Sequence, residues 1–163
     1  MSQPADCDAL PPPPQDLAAF VADQTGREYL SEWLAVEQAT IDAFADATDD
    51  HMFLHVDPEV AARTEFGGTI AHGFLTLSLL APLRASTPRP QVPGLRNGLN
   101  YGFDRVRMIA PVRSGARLRA RFTVITIEQR SPGRWLETMD VVVEIAGEPK
   151  PALSARWLTM YLL

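Results

Sequence analysis

The chain has 163 residues, 46% of them apolar, enough for one domain with one sizeable core. Its formal charge of -5 gives no general attraction to nucleic acid or to an anionic membrane surface, so the expected partners are small molecules or protein. A single cysteine, Cys7, excludes a disulfide framework, and neither a leader peptide nor an apolar run near the ~20 residues that cross a bilayer is visible, so a soluble cytoplasmic protein is expected.

Residues 1–15 hold the tetraproline Pro11 to Pro14, which fixes φ and removes backbone donors. They are expected to form a flexible lead-in without chemistry, followed by one domain over residues 16–163. Asp16 is placed to cap a short helix with Leu17, Phe20 and Val21 on one face, ended by Gly26. Trp33, Leu34 and Val36 suggest a short strand. A helix then opens at Gln38 or Thr40 and aligns Ile41, Phe44, Ala45 and Thr48.

The stretch from Asp49 to Pro58 has neither a helical nor a strand period and reads as an ordered loop, with Pro58 opening a short helix to Arg63. After Gly67 and Gly68, residues from about Ile70 to Ala85 are apolar on nearly every side, which predicts one long helix buried all round. From Gly94 onward the pattern changes to strands, over Leu95 to Tyr101, Asp104 to Met108, Arg117 to Ile127, Trp135 to Ile145 and Leu153 to Leu162. Alternation places Leu118, Ala120, Phe122 and Val124 on one face and Arg117, Arg119, Arg121 and Thr123 on the other. One long apolar helix and a run of antiparallel strands fit an α+β domain in which a curved sheet wraps the helix.

Chemistry concentrates in one place. The chain's three histidines, His51, His55 and His72, lie within about twenty residues that also hold Asp49, Asp50 and Asp57. A carboxylate and an imidazole five residues apart in a loop can face one small volume and exchange protons with a water between them, which suits general acid-base work. Two other readings compete with it. The acids can be solvated loop residues, or His51 and His55, spaced i and i+4, can be metal ligands, although no third ligand stands at a set spacing.

Phe44-Ala45-Asp46-Ala47-Thr48 leading into Asp50-His51, and then His55-Val56-Asp57, resembles the hydratase motif of MaoC-like and NodN-like proteins. Phe66-Gly67-Gly68-Thr69-Ile70-Ala71-His72-Gly73-Phe74-Leu75-Thr76 resembles the same family's central segment. The likeness runs from about Phe20 to the C-terminus, through Asn100-Tyr101-Gly102, Pro111-Val112 and Gly115-Ala116-Arg117-Leu118.

The resemblance implies a hot-dog fold, a homodimer, and reversible syn hydration of trans-2-enoyl thioesters of coenzyme A or carrier protein to the (R)-3-hydroxyacyl form. Asp50 and His55 become its acid-base pair, acting through a bound water. The resemblance implies no cofactor beyond the coenzyme A or carrier arm of the substrate itself, and no metal. The amides at the start of the predicted helix are suited to the negative charge that develops on the thioester oxygen, with Gly73 as the candidate donor. His72 and Asn100 are further candidate substrate contacts, and the arginines from Arg105 to Arg121 are candidates for coenzyme A phosphates.

Two departures from the motif stand out. Asp49 replaces the glycine that commonly precedes the motif's aspartate, and Met52-Phe53 replaces a polar residue followed by Pro or Trp. They favour one alternative, a non-catalytic acyl-thioester binding protein, and a second alternative is a hot-dog thioesterase in which Asp50 alone activates water against the carbonyl carbon.

Overall fold

The computed structural model describes residues 16–163, so the expectations for the proline-rich segment and for Cys7 fall outside the described residues. Alternation organises the core. β4 (Arg117–Ser131), β5 (Arg134–Ile145) and β6 (Leu153–Leu162) pair antiparallel, and every second side chain turns inward. Their register stacks the inward residues in rows. Ala120 lies opposite Val143 and then Leu153, Phe122 opposite Val141 and Ala155, and Val124 opposite Met139 and Trp157. All of these belong to the buried core, where removing each large side chain from water contributes roughly 1.5–3 kcal/mol.

β3 (Asn97–Met108) pairs with the outer side of β6, and β1 (Glu28–Leu30) and β2 (Leu34–Ala35) both pair with β4. The strand order β1-β4-β5-β6-β3 leaves β3 as an edge. The alternation predicts two strands in the β3 region, but one is present. Register shifts between Asn100 and Gly102 and between Phe103 and Arg105 interrupt its period, and bulges of this kind hide a continuous strand from pattern reading. At three residues, β1 is too short to carry a period.

The early helices match their signals. Asp16 caps α1 (Leu17–Gln24) by accepting from the Ala18 amide, and α2 (Gln38–Thr48) buries Ile41 and Ala45. Asp57 caps α4 (Pro58–Ala61), accepting from the amides of Glu59 and Val60. The predicted loop between them contains a single helical turn, α3 (Phe53–Val56), too short to show a period.

The single helix expected over Ile70 to Ala85 is instead two, α5 (Gly73–Ser78) and α6 (Leu80–Ala85), while Ile70 makes a β-bridge to Arg113. Pro82 explains the break. It has no amide to donate to Ser78, four residues earlier, and its ring crowds that carbonyl. The helix pair is also not buried all round. Leu75, Thr76, Leu80 and Leu83 face the core, whereas Phe74 is 74% exposed.

Candidate active site

The site begins where α2 ends. Asp49 takes the left-handed conformation at φ 56° and ψ 30°, and the Asp50 amide then donates to the Ala45 carbonyl at 3.1 Å. Aspartate tolerates this region better than most residues, which is how the chain turns here without glycine. The Asp49 side chain is fully in solvent, 3.7 Å from His51 Nδ1, so it adds no second carboxylate to the Asp50 site. His51 bonds to Asp46 at 2.9 Å, and that hydrogen bond holds the imidazole above its ordinary pKa. The possible ligand cluster among the described residues is Asp50, His55 and His72, and His51 is not part of it.

α3 carries His55. Its Nδ1 lies 2.7 Å from the Ile70 carbonyl oxygen, which can only accept, so Nδ1 bears the hydrogen and in the neutral ring the lone pair is on Nε2. The turn is tied to the following segment. The Ile70 amide donates to the Leu54 carbonyl at 2.9 Å, and Gln38 donates to the His55 carbonyl at 2.7 Å while accepting from the Thr69 hydroxyl. Met52 and Phe53 sit at the exposed start of α3, where Met52 supplies no side-chain cap. The turn therefore has no side-chain cap at its start, and the His55 ring is anchored by the Ile70 carbonyl.

His72 is 2% exposed and does not line the cavity beside His55. Its Nε2 donates to the Asp50 carbonyl at 2.9 Å, and its ring stacks on His55 with centroids 3.7 Å apart. Gly73 follows it and opens α5, so the Gly73 amide has no acceptor within the helix.

His55, Gly73, Thr76 and Met108 line a cavity of about 240 Å³ whose other walls are mainly apolar. Asp50 stands beside it with its side chain about half exposed. The nearest nitrogen and oxygen atoms of Asp50, His55 and His72 lie within 4.8 Å of one another. A water bridging the Asp50 carboxylate and His55 fits that spacing, since each hydrogen bond spans roughly 2.7–3.0 Å. The same atoms are near enough to share a cation, although one nitrogen of each imidazole is already bonded to a backbone carbonyl.

Asn100 is not brought to this site. It lines a separate cavity of about 140 Å³ with Leu77, Phe103 and Trp157, and its Oδ1 accepts from the Trp157 indole at 2.8 Å. The arginines also divide. Arg119 and Arg121 pair with Glu144, Arg121 pairs additionally with Glu28, and Arg117 lies over Trp33. Arg113 lines a cavity that shares Ala110 and Pro111 with the His55 cavity. A larger cleft of about 430 Å³ at Trp33 is lined by no histidine, and of its two acids, Glu144 and Glu148, the first is tied to those two arginines. Nothing in the sequence links Gln38 and Thr69 to the His55 turn that they hold. A polar residue opening a helix does not reveal a partner 17 residues further on.

The MaoC like domain family matches residues 20–144. The chain belongs to that family and shares its hot-dog fold. Nodulation protein N of Rhizobium leguminosarum bv. viciae is 48% identical over 146 residues, 89% of this chain and 88% of that protein. The 3-hydroxyacyl-thioester dehydratase Z of Mycobacterium tuberculosis is 41% identical over 147 residues, 90% of this chain and 94% of that protein. The structure of the (R)-hydratase from A. caviae superposes with a TM-score of 0.67 at 25% identity, covering 83% of this chain and 94% of that one. With such relatives the chain is an enzyme of the hydratase and dehydratase class.

Proposed function

We propose that this enzyme adds water reversibly across the double bond of trans-2-enoyl thioesters, carried on coenzyme A or a carrier protein, to give (R)-3-hydroxyacyl thioesters. The observation that carries the reading is the Asp50 carboxylate beside a His55 ring whose Nε2 lone pair is free, at the edge of a mainly apolar cavity. A water held between them loses a proton to one of the pair as its oxygen bonds to the substrate's β-carbon. A proton passes to the α-carbon from the same face, and dehydration is the reverse. As the double bond is attacked, charge moves to the thioester oxygen, where the Gly73 amide is the donor we assign. The chemistry needs no cofactor beyond the substrate's own thioester arm.

A homodimer accompanies this reading. The twelve-residue edge strand β3 leaves a row of backbone groups unpaired within the chain and exposes Leu99, Tyr101 and Met108, with Phe74 exposed on α5. A long exposed edge strand is a template for pairing with another chain. Among the described residues no helix is long and apolar enough to cross a membrane. A cytoplasmic setting is proposed on the single cysteine of the composition.

The test is loss of enoyl-thioester absorbance with short, medium and branched substrates. Wild type is expected to hydrate at least one series, and Asp50→Asn and His55→Gln are each expected to slow it by roughly 10²–10⁴-fold while keeping the native melting transition. Unchanged rates in both variants would sink the proposal. Release of free thiol in place of hydration would make the enzyme a thioesterase, and binding without turnover would make it an accessory subunit.

A further inference from the structure

His72 is buried and touches both members of the proposed acid-base pair without reaching the cavity. Its Nε2 donates to the Asp50 carbonyl at 2.9 Å and lies 4.0 Å from the Asp50 carboxylate. Its ring is stacked on His55 at 3.7 Å with an interplanar angle of 27°, and the Phe44 ring lies 5.0 Å from the His72 ring, tilted by 51°. Because a carbonyl only accepts, Nε2 bears the hydrogen, and Nδ1, buried with no partner, keeps its lone pair.

We propose that His72 is a positioning residue, a fixed imidazole that sets the distance between Asp50 and His55. Asp50 is the first residue after a left-handed turn, a place where the main chain is otherwise held by the single bond from its amide to Ala45. The bond from His72 fixes its carbonyl as well, so both peptide groups flanking its Cα are anchored and the carboxylate leaves from a set point. On the His55 side, the Nδ1 bond to Ile70 leaves the ring free to pivot about that contact, and the flat face of His72 limits the pivot. Segment 70–72 is itself fixed, by the Ile70 amide on Leu54 and the Ala71 amide on Val112 at 2.7 Å. The buried apolar wall that leaves Nδ1 unpartnered costs stability, which is understandable if the ring is kept for geometry. Misplacing reacting groups by about 1 Å can cost about 10²-fold in rate, so the contribution of such a platform is measurable.

This inference rests on the proposed hydratase reading. His72→Phe keeps a flat ring and removes the donor, whereas His72→Gln keeps a donor near the Nε2 position and removes the ring. Both are assayed beside Asp50→Asn and His55→Gln, with melting temperature recorded for each. The expected result is a fall in kcat of about 10²-fold for His72→Phe with KM little changed, and a smaller fall for His72→Gln. If His72→Phe does not fold, Gln against Asn carries the same comparison, because the Asn amide is one methylene too short to reach Asp50. Wild-type kcat in the donor-free variants would overturn the positioning role, as would a rise in KM at unchanged kcat, which marks a substrate contact. Silent Asp50 and His55 variants would instead remove the hydratase reading beneath it.

Discussion

The amide of Asp50 donates to the carbonyl of Ala45 at 3.1 Å, a bond that closes α2 and forms only because Asp49 sits at φ 56°. The residue in the left-handed region thus aims the carboxylate that follows it. Asp49 is expected to matter through its backbone, since its side chain is in solvent. Asp49→Gly and Asp49→Asn should keep kcat and leave the melting temperature unchanged or slightly raised. Asp49→Val should lose about 1–2 kcal/mol, because a β-branched residue resists this conformation, and should lose kcat as Asp50 shifts. Chemical denaturation and steady-state kinetics on the three variants check this. Equal kcat loss in Asn and Val would mean that the Asp49 charge matters after all.

Asn100 and Trp157 lie diagonally across β3 and β6, Asn100 opposite Thr159 and Trp157 opposite Phe103, and the 2.8 Å bond from the indole satisfies a donor on a residue only 8% exposed. Asn100→Leu would leave that donor buried and unpaired, at a cost of about 1–3 kcal/mol. The expected outcome is a lower melting temperature with kcat and KM for a short enoyl substrate near wild type. A selective rise in KM at unchanged stability would return Asn100 to the substrate contacts.

Much of the fold is legible because burial writes itself into alternation. Leu118, Ala120, Phe122 and Val124 predict the inward face of β4, and Asp16 and Asp57 mark two helix starts. Features that depend on a partner far along the chain are not legible. Asp50 and His72 are 22 residues apart and Asn100 and Trp157 are 57 apart, and neither spacing implies contact. The Asp50 and His55 pair is readable mainly through the family likeness, since its local pattern fits an acidic loop equally well. Pro82 is visible in the sequence, but the apolar run around it reads as one helix until the carbonyl it crowds is placed.

Tyr161, 4% exposed, donates to the buried Glu137, which also holds Arg89 at 2.8 Å. Burial first, and the Glu137 charge second, push the Tyr161 hydroxyl well above the ordinary tyrosine value, against the opposing pull of Arg89 and Arg84. An unfolded tyrosine loses its proton near pH ~10, whereas the folded one retains it. Above that pH the unfolded state binds fewer protons than the native state, so stability must fall as pH rises. Melting temperatures measured from neutral to strongly alkaline pH should decline above about pH 10 in wild type. The decline should be shallower in Tyr161→Phe, whatever that variant's starting stability. Parallel slopes would exclude Tyr161 as the source.

Gly73 and Met108 meet across the cavity wall, where a Cβ built on Gly73 would lie 3.3 Å from Met108 Cγ. Two roles for the glycine, room and a free amide, can therefore be separated. Gly73→Ala adds the methyl but keeps the amide, and the flexible methionine can give way, so a loss of under about 10-fold in kcat/KM is expected. Adding Met108→Ala should restore part of it. Gly73→Pro removes the amide and adds two ring carbons beyond the alanine methyl. Proline is well tolerated at the first position of a helix, and His72 before it already has the extended ψ of 141° that a following proline requires. The proline variant is expected to fold and yet lose about 10²–10³-fold in kcat relative to Gly73→Ala, the loss associated with one oxyanion donor. Equal rates in the alanine and proline variants would show that the thioester oxygen takes its hydrogen bond from another group, and that Gly73 serves only to let substrate pass Met108.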